Sequence, residues 1–182
     1  MRIIGLGYKA KSGKDTLAGM LARGHGFMHF SFAEPLKKVC AGVFGFTNAQ
    51  VYGGLKEAID EFWGFAPRKA MQLVGTECFK PVFGDDVWVR AMERHIFDPA
   101  WPYSPRVVGV VISDVRFRVE AEAIKRWGGK VVRVDRHSAG ASGGVANHAS
   151  ETELDTYADW DAVIDNNGTL EDLEAKAAEL AR

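Results

Sequence analysis

The first two dozen residues restrict the fold of this chain more than any other stretch. Arg2–Gly7 is a mostly apolar run of strand length, Gly7-Tyr8-Lys9-Ala10-Lys11-Ser12-Gly13-Lys14-Asp15-Thr16 is rich in glycine and lysine, and Leu17, Met20 and Leu21 recur at helical spacing before Gly24 and Gly26. Strand, loop and helix in that order let successive backbone N–H groups and a helix N-terminus wrap a chain of phosphates. Lys14 would reach the β- and γ-phosphates, and Thr16 is the hydroxyl expected on the magnesium side. Two residues depart from the pattern G-x-x-x-x-G-K-S/T. Tyr8 stands at the first glycine position, and Asp15 follows the lysine where Ser or Thr is expected. The plain structural alternative is a glycine- and lysine-bearing turn that merely starts a helix.

The same residues also fit G-x-G-x-x-G/A through Gly5-Leu6-Gly7-Tyr8-Lys9-Ala10, with Glu34 after the second strand where an acid could meet a ribose. That pattern would make an NAD-binding oxidoreductase. It leaves Ser12-Gly13-Lys14 before the helix unexplained, so the phosphate loop is the stronger reading.

The rest of the chain alternates strand and helix signals. Phe27–Phe32 reads as a strand, and Ser31 with Glu34 forms an S-x-x-E box before Pro35 and the helical face Leu36, Val39, Cys40, Val43 and Phe44. Thr47–Phe65 reads as helical pieces, while Arg68–Phe79 and Asp85–Phe97 have clearer helical spacing. After Pro99, Pro102 and Pro105, the β-branched run Val107–Ser113 suits the middle of a parallel sheet. Helix Phe117–Trp127, strand Lys130–Asp135, strand Ala162–Asp165 and a helix from Thr169 complete the order. Such alternation predicts an α/β fold of three layers around a central parallel sheet of about five strands.

At 182 residues the chain is expected to form a single domain. Its 23 Lys and Arg against 24 Asp and Glu supply no overall positive field for a nucleic acid polymer or an anionic membrane. Nothing approaches the roughly 20 apolar residues of a membrane span, and no secretion signal opens the chain, so a cytoplasmic protein is expected. Cys40 and Cys78 lie in apolar helical patterns without metal-ligand spacing and read as buried small hydrophobes.

Further residues suggest a second anion site. Lys37 and Lys38 stand in the first turn of a helix, where the dipole disfavours cations unless an anion is present; a solvated pair is the bland alternative. Arg68, Gln72 and Thr76 fall at i, i+4 and i+8, placing a guanidinium for a phosphate and an amide for a base edge on one helical face. Asp114 closes the long strand, where an acid can hold magnesium or its water shell, and Arg116 could clamp a transferring phosphoryl group. Trp88 could stack on a base, although its helical spacing with Ala91 and Met92 favours the core. The glycine- and serine-rich stretch after Arg133 and Arg136 suits a lid over a nucleotide, or a surface loop.

Taken together, Lys11-Ser12-Gly13-Lys14-Asp15-Thr16, Ser31-Phe32-Ala33-Glu34-Pro35-Leu36-Lys37, Arg68 through Gln72 to Gly75-Thr76, Asp85 to Trp88, Asp114-Val115-Arg116-Phe117 with Glu120, and His148-Ala149-Ser150-Glu151 resemble the phage-type deoxynucleoside monophosphate kinases, a branch of the P-loop nucleoside monophosphate kinases. The resemblance implies transfer of the γ-phosphoryl group of ATP, with Mg2+, to a deoxynucleoside monophosphate. It implies a monophosphate-binding region at about 34–98 and a lid at about 136–150 within one P-loop kinase domain, 1–182. Lys11, Ser12, Gly13, Lys14, Asp15 and Thr16 would hold ATP; Thr16 and Asp114 would hold the metal. Ser31, Phe32, Lys37, Arg68, Gln72, Trp88, Arg116 and Glu120 would surround the acceptor, with Lys14, Arg68, Arg116 and lid Arg136 as the catalytic cations. A homodimer is possible. Lys-Ser-Gly-Lys-Asp also resembles animal-type phosphomevalonate kinases, which leaves another phosphorylated acceptor as an alternative, and a non-catalytic nucleotide- or RNA-binding module as a third.

Overall fold

In chain order the elements are β1 (Arg2–Gly7), α1 (Lys14–Gly24), β2 (Phe27–Phe30), α2 (Glu34–Phe44), α3 (Asn48–Val51), a 3-10 turn (Gly54–Glu57), α4 (Pro67–Gln72), a π-helical segment (Leu73–Cys78), α5 (Phe79–Phe83), α6 (Val87–Ile96), β3 (Gly109–Val115), α7 (Arg118–Arg126), β4 (Lys130–Asp135), a 3-10 turn (Glu153–Thr156), β5 (Ala162–Asp165) and α8 (Leu170–Leu180). This computed structural model describes residues 1–98, 106–137 and 152–182. The chain divides into two units, Met1–Ser31 with Pro102–Arg182, and Phe32–Trp101.

The first unit holds the sheet, ordered β2-β3-β1-β4-β5 with every pairing parallel. Its central strands β1 and β3 are buried and apolar on both faces because helices cover both. Ile4, Leu6, Val111, Val132, Val134 and Ile164 meet Leu17, Ala18 and Leu21 of α1 and Leu173 and Ala177 of α8. On the other side Ile124 of α7 lies so close to β1 that a side chain at Gly5 would fall on it. The expected three-layer α/β architecture with five parallel strands is what forms. Gly5 and Gly7 are strand residues, not a turn over a pyrophosphate, which removes the structural basis of the dinucleotide alternative.

Strand limits differ from the sequence expectation at two informative places. Phe27–Phe32 shortens to Phe27–Phe30, and the helix after it starts at Glu34 with Ala33 as its cap and no side-chain cap bond. The Ser31–Glu34 box therefore does not form. Ser31 Oγ donates instead to Asp114 Oδ2 at 2.6 Å, and Glu34 Oε1 accepts from the Tyr52 hydroxyl at 2.9 Å. The second difference lies in β3, which starts at Gly109 and runs on to Val115. Gly5 pairs with Ile112 but Gly7 with Val115, so one extra residue bulges on β3 beside the loop that follows β1. A bulge re-aims side chains at a sheet's end, and this one carries Ser113 and Asp114.

The second unit is helical. Cys40, Phe46, Val51 and Ala70 form its core, with Leu36, Ala41, Phe44, Phe65, Met71 and Val74 packed against them. Helix α4 passes into the π segment, where Phe79 N–H bonds to Val74 O five residues back. Gly75 lies at this widened turn against Leu36, and its carbonyl accepts from Trp88 Nε1 at 2.9 Å. A π turn adds residues to the helical repeat, so Thr76 rotates off the face that continuous α-helix spacing assigned to it with Arg68 and Gln72.

The two cysteines part company here. Cys40 is fully buried, and desolvation pushes its thiol up to about 11, whereas Cys78 is exposed, against the sequence expectation. A thiol reagent at neutral pH should therefore label one cysteine of the folded protein quickly and the second only on unfolding. Rapid labelling of both would contradict the packing around α2.

Candidate active site

The loop between β1 and α1 gathers its polar groups inward. Lys14 is 7% exposed; its ammonium donates to Tyr8 O at 3.1 Å, to Lys9 O, and to Ser12 Oγ at 3.3 Å. These three acceptors are neutral oxygens, and they fix the position of the ammonium within its own loop. Gly13 caps α1 at a φ of +98°, a left-handed conformation that glycine takes without the steric cost of a side chain, and Ser12 is fully buried.

Asn166, at the end of β5, holds this loop from behind. Its Nδ2 donates to Ser12 O at 2.8 Å, its own N–H bonds to Asp135 O at 2.7 Å, and a side chain at Gly13 would fall on its amide nitrogen. Sequence reasoning missed Asn166; the available signal was an amide just after a predicted strand, at the carboxyl end of the sheet, where open α/β sheets bind ligands.

Tyr8, standing where the pattern has glycine, adopts a φ of +97°. A non-glycine residue so placed carries about 1–3 kcal/mol of strain. Its ring is held on several sides. The Arg133 guanidinium lies 3.8 Å from the ring centroid, and Trp160 meets the ring edge-on at 6.5 Å between centroids. A cation–π contact of about 0.5–2 kcal/mol and an aromatic pair of about 0.5–1.5 kcal/mol are together large enough to offset the strain. The backbone thus follows the glycine path. Lys9 pairs with Asp155, which ties the same loop to the 3-10 turn Glu153–Thr156.

Beside the loop, the β3 bulge presents two hydroxyl–carboxylate pairs. Ser113 Oγ donates to Asp15 Oδ1 at 2.7 Å, and Ser31 Oγ to Asp114 Oδ2. Asp15, Thr16 and Asp114 offer oxygen only, the donor type suited to Mg2+, which keeps several waters and takes one or two protein oxygens beside a phosphate. That mode needs no larger cage, and among the described residues no group of three or more metal-ligating side chains occurs.

The other residues singled out in the sequence are distributed as follows. Arg116 follows β3 directly, half-buried, and Glu120 is 5% exposed with its Oε2 accepting from the Arg116 and Phe117 amides at 2.7 and 3.0 Å. Glu120, the third residue of α7, thereby satisfies the backbone at the start of that helix, where Phe117 is the cap. Arg136 and His137 are exposed just after β4, and the expected lid from residue 138 on, with His148–Glu151, lies outside the described residues. In the helical unit Phe32 is buried, Lys37 lies 5.0 Å over the Tyr52 ring, and Arg68 pairs with Glu57. Gln72 is half-buried at the end of α4. Trp88 is 8% exposed and stacks on Phe79 at 5.0 Å, the packing its helical spacing favoured.

A parallel sheet whose first strand runs into a lysine-bearing loop at the start of a helix, with Asp114 near the tip of the neighbouring strand, belongs with the P-loop kinases. Comparison with known proteins narrows the class. A family model described as deoxynucleotide monophosphate kinase matches residues 56–177. The chain is similar to a putative deoxynucleotide monophosphate kinase of Acanthamoeba polyphaga mimivirus, 37% identical over 94% of this chain and 92% of the relative. It is also similar to a deoxynucleotide monophosphate kinase of Escherichia phage RB69, 26% identical over 78% of this chain and 55% of that one. This chain belongs to the deoxynucleotide monophosphate kinase family. It is an enzyme, a phosphotransferase whose acceptor is a nucleoside monophosphate, and neither the phosphomevalonate nor the oxidoreductase alternative finds support.

Proposed function

We propose that Lys11–Thr16 binds ATP by its phosphates and that the γ-phosphoryl group passes in line to a phosphate oxygen of a deoxynucleoside monophosphate. The observation that carries this reading is the buried Lys14 ammonium, set among neutral oxygens of its own loop. Thr16 and Asp114 would hold Mg2+ in this proposal, and the ion would supply positive charge against the phosphate oxygens. Lys14 stabilises the β- and γ-phosphate oxygens as charge shifts toward the leaving group. No general base is needed, because the acceptor phosphate is largely ionised at neutral pH.

Residues 34–98 are the monophosphate-binding region of the proposal, with Lys37, Arg68, Gln72 and Trp88 as its contributors and Phe32 just ahead of it on the acceptor side, and 136–150 is the lid. Arg68 and Arg116 orient the acceptor phosphate, and Arg136 follows the moving charge. Arg68 rests on Glu57 in an exposed pair, and such pairs are worth only about 0–1 kcal/mol. Exchange of that carboxylate for a dianionic phosphate is therefore cheap. Ser31 and Glu120 act on the acceptor side, Ser31 from its bond to Asp114 and Glu120 by fixing the backbone at Arg116. The setting is the cytoplasm, where ATP is abundant.

A coupled assay for ADP formation across a panel of deoxynucleoside and ribonucleoside monophosphates tests this. ADP should appear on adding at least one deoxynucleoside monophosphate, and only with a divalent cation present. Turnover with none of the panel, or with phosphomevalonate alone, would overturn it.

A further inference from the structure

Asp15 follows the loop lysine directly, and its carboxylate is not left to find its own direction. Ser113 Oγ, on a residue 2% exposed in the β3 bulge, donates to Asp15 Oδ1 at 2.7 Å. The same oxygen lies 2.7 Å from His29 Nε2 on β2. A serine hydroxyl has a single hydrogen, and an ionised carboxylate only accepts. With that hydrogen given to Asp15, Ser113 can meet His29 only as an acceptor, so the imidazole carries its hydrogen on Nε2. The order His29 to Ser113 to Asp15 is thus fixed end to end. Each bond in such a chain polarises the next.

Three elements, β2, β3 and α1, are spent on aiming one carboxylate next to a loop made for polyphosphate. A carboxylate there repels a nucleotide that arrives without a cation and assists one that brings it, because the metal lies between the like charges. We propose that Ser113, backed by His29, is a positioning residue that holds Asp15 on the metal side of the donor phosphates and so makes nucleotide binding depend on the divalent cation. The proposal rests on the donor-site reading of Lys11–Thr16.

The test is calorimetric titration of the full chain with ADP, once with Mg2+ and once with EDTA, taking the ratio of the two affinities. In the wild type Mg2+ should tighten ADP binding. Asp15→Asn should shrink that ratio about tenfold, as befits a charge-assisted contact, and Ser113→Ala should shrink it by at least about threefold. The double variant should do no more than Asp15→Asn alone, since the serine acts through the aspartate. His29→Phe, on an edge strand where the side chain is exposed, serves if Ser113→Ala does not fold, and should move the ratio in the same direction. An unchanged ratio in a folded Ser113→Ala or His29→Phe protein, or effects that add to those of Asp15→Asn, overturns the proposal. So does a wild type that binds ADP equally well without Mg2+. If the wild type binds no ADP at all, the donor-site reading itself has failed.

Discussion

Lys14→Ala should fold normally and lose about two to three orders of magnitude in turnover, the effect typical of removing one preorganised charge from a phosphoryl-transfer site. The fold should survive because the lysine's partners include two loop carbonyls and the Ser12 hydroxyl, none of which becomes a buried charge when the ammonium goes. Steady-state kinetics beside a denaturation curve separate the two effects. A variant that keeps near-normal turnover would show that the loop does not hold the reacting phosphates. Arginine in its place should not rescue, because a planar fork cannot take the three-donor position among these oxygens.

Gly13→Ala should do damage of a different kind, lowering stability as well as nucleotide binding. The φ of +98° disfavours any side chain by about 1–2 kcal/mol, and the new methyl group would fall on the Asn166 amide. Displacing Asn166 breaks its bond to Ser12 O inside a buried region, for about 1–3 kcal/mol more. Urea unfolding should register a loss of roughly 2–5 kcal/mol in all, and ADP titration should show weakened binding. Full stability with lost binding would place the defect in the anion pocket alone; both properties unchanged would contradict the geometry of the loop.

Lys14 and Gly13 are legible in the amino-acid sequence because their signal is local. A glycine and a lysine between a strand and a helix have few other uses, and the β-branched run at Val110–Ile112 can only be a strand covered on both sides. Asn166, Ser113 and His29 are not legible in that way. Each sits far along the chain from the group it serves, and nothing in an isolated asparagine, serine or histidine announces a partner 154, 98 or 84 residues away. Tyr8 lies between these cases: its misfit to the pattern is visible in the sequence, but the rings and the guanidinium that hold it come from β4 and from Trp160.

The Ser31–Glu34 box shows how a local rule fails. The short-range motif is present, but the hydroxyl finds a carboxylate on β3 and the helix begins three residues later with no side-chain cap. A charge-assisted bond outweighs a neutral capping bond by about a factor of two, so the long-range partner prevails. The π segment does the same to the Arg68, Gln72 and Thr76 face, since Trp88 claims the Gly75 carbonyl.

Sequence alone determined the alternation of strands and helices and the glycine- and lysine-bearing loop between β1 and α1, because hydrophobic period and backbone freedom act over neighbouring residues. Only the tertiary structure decided which side chains face that loop. Strand order and a single bulge in β3 set those directions, and both arise from pairings between distant segments that no local pattern encodes.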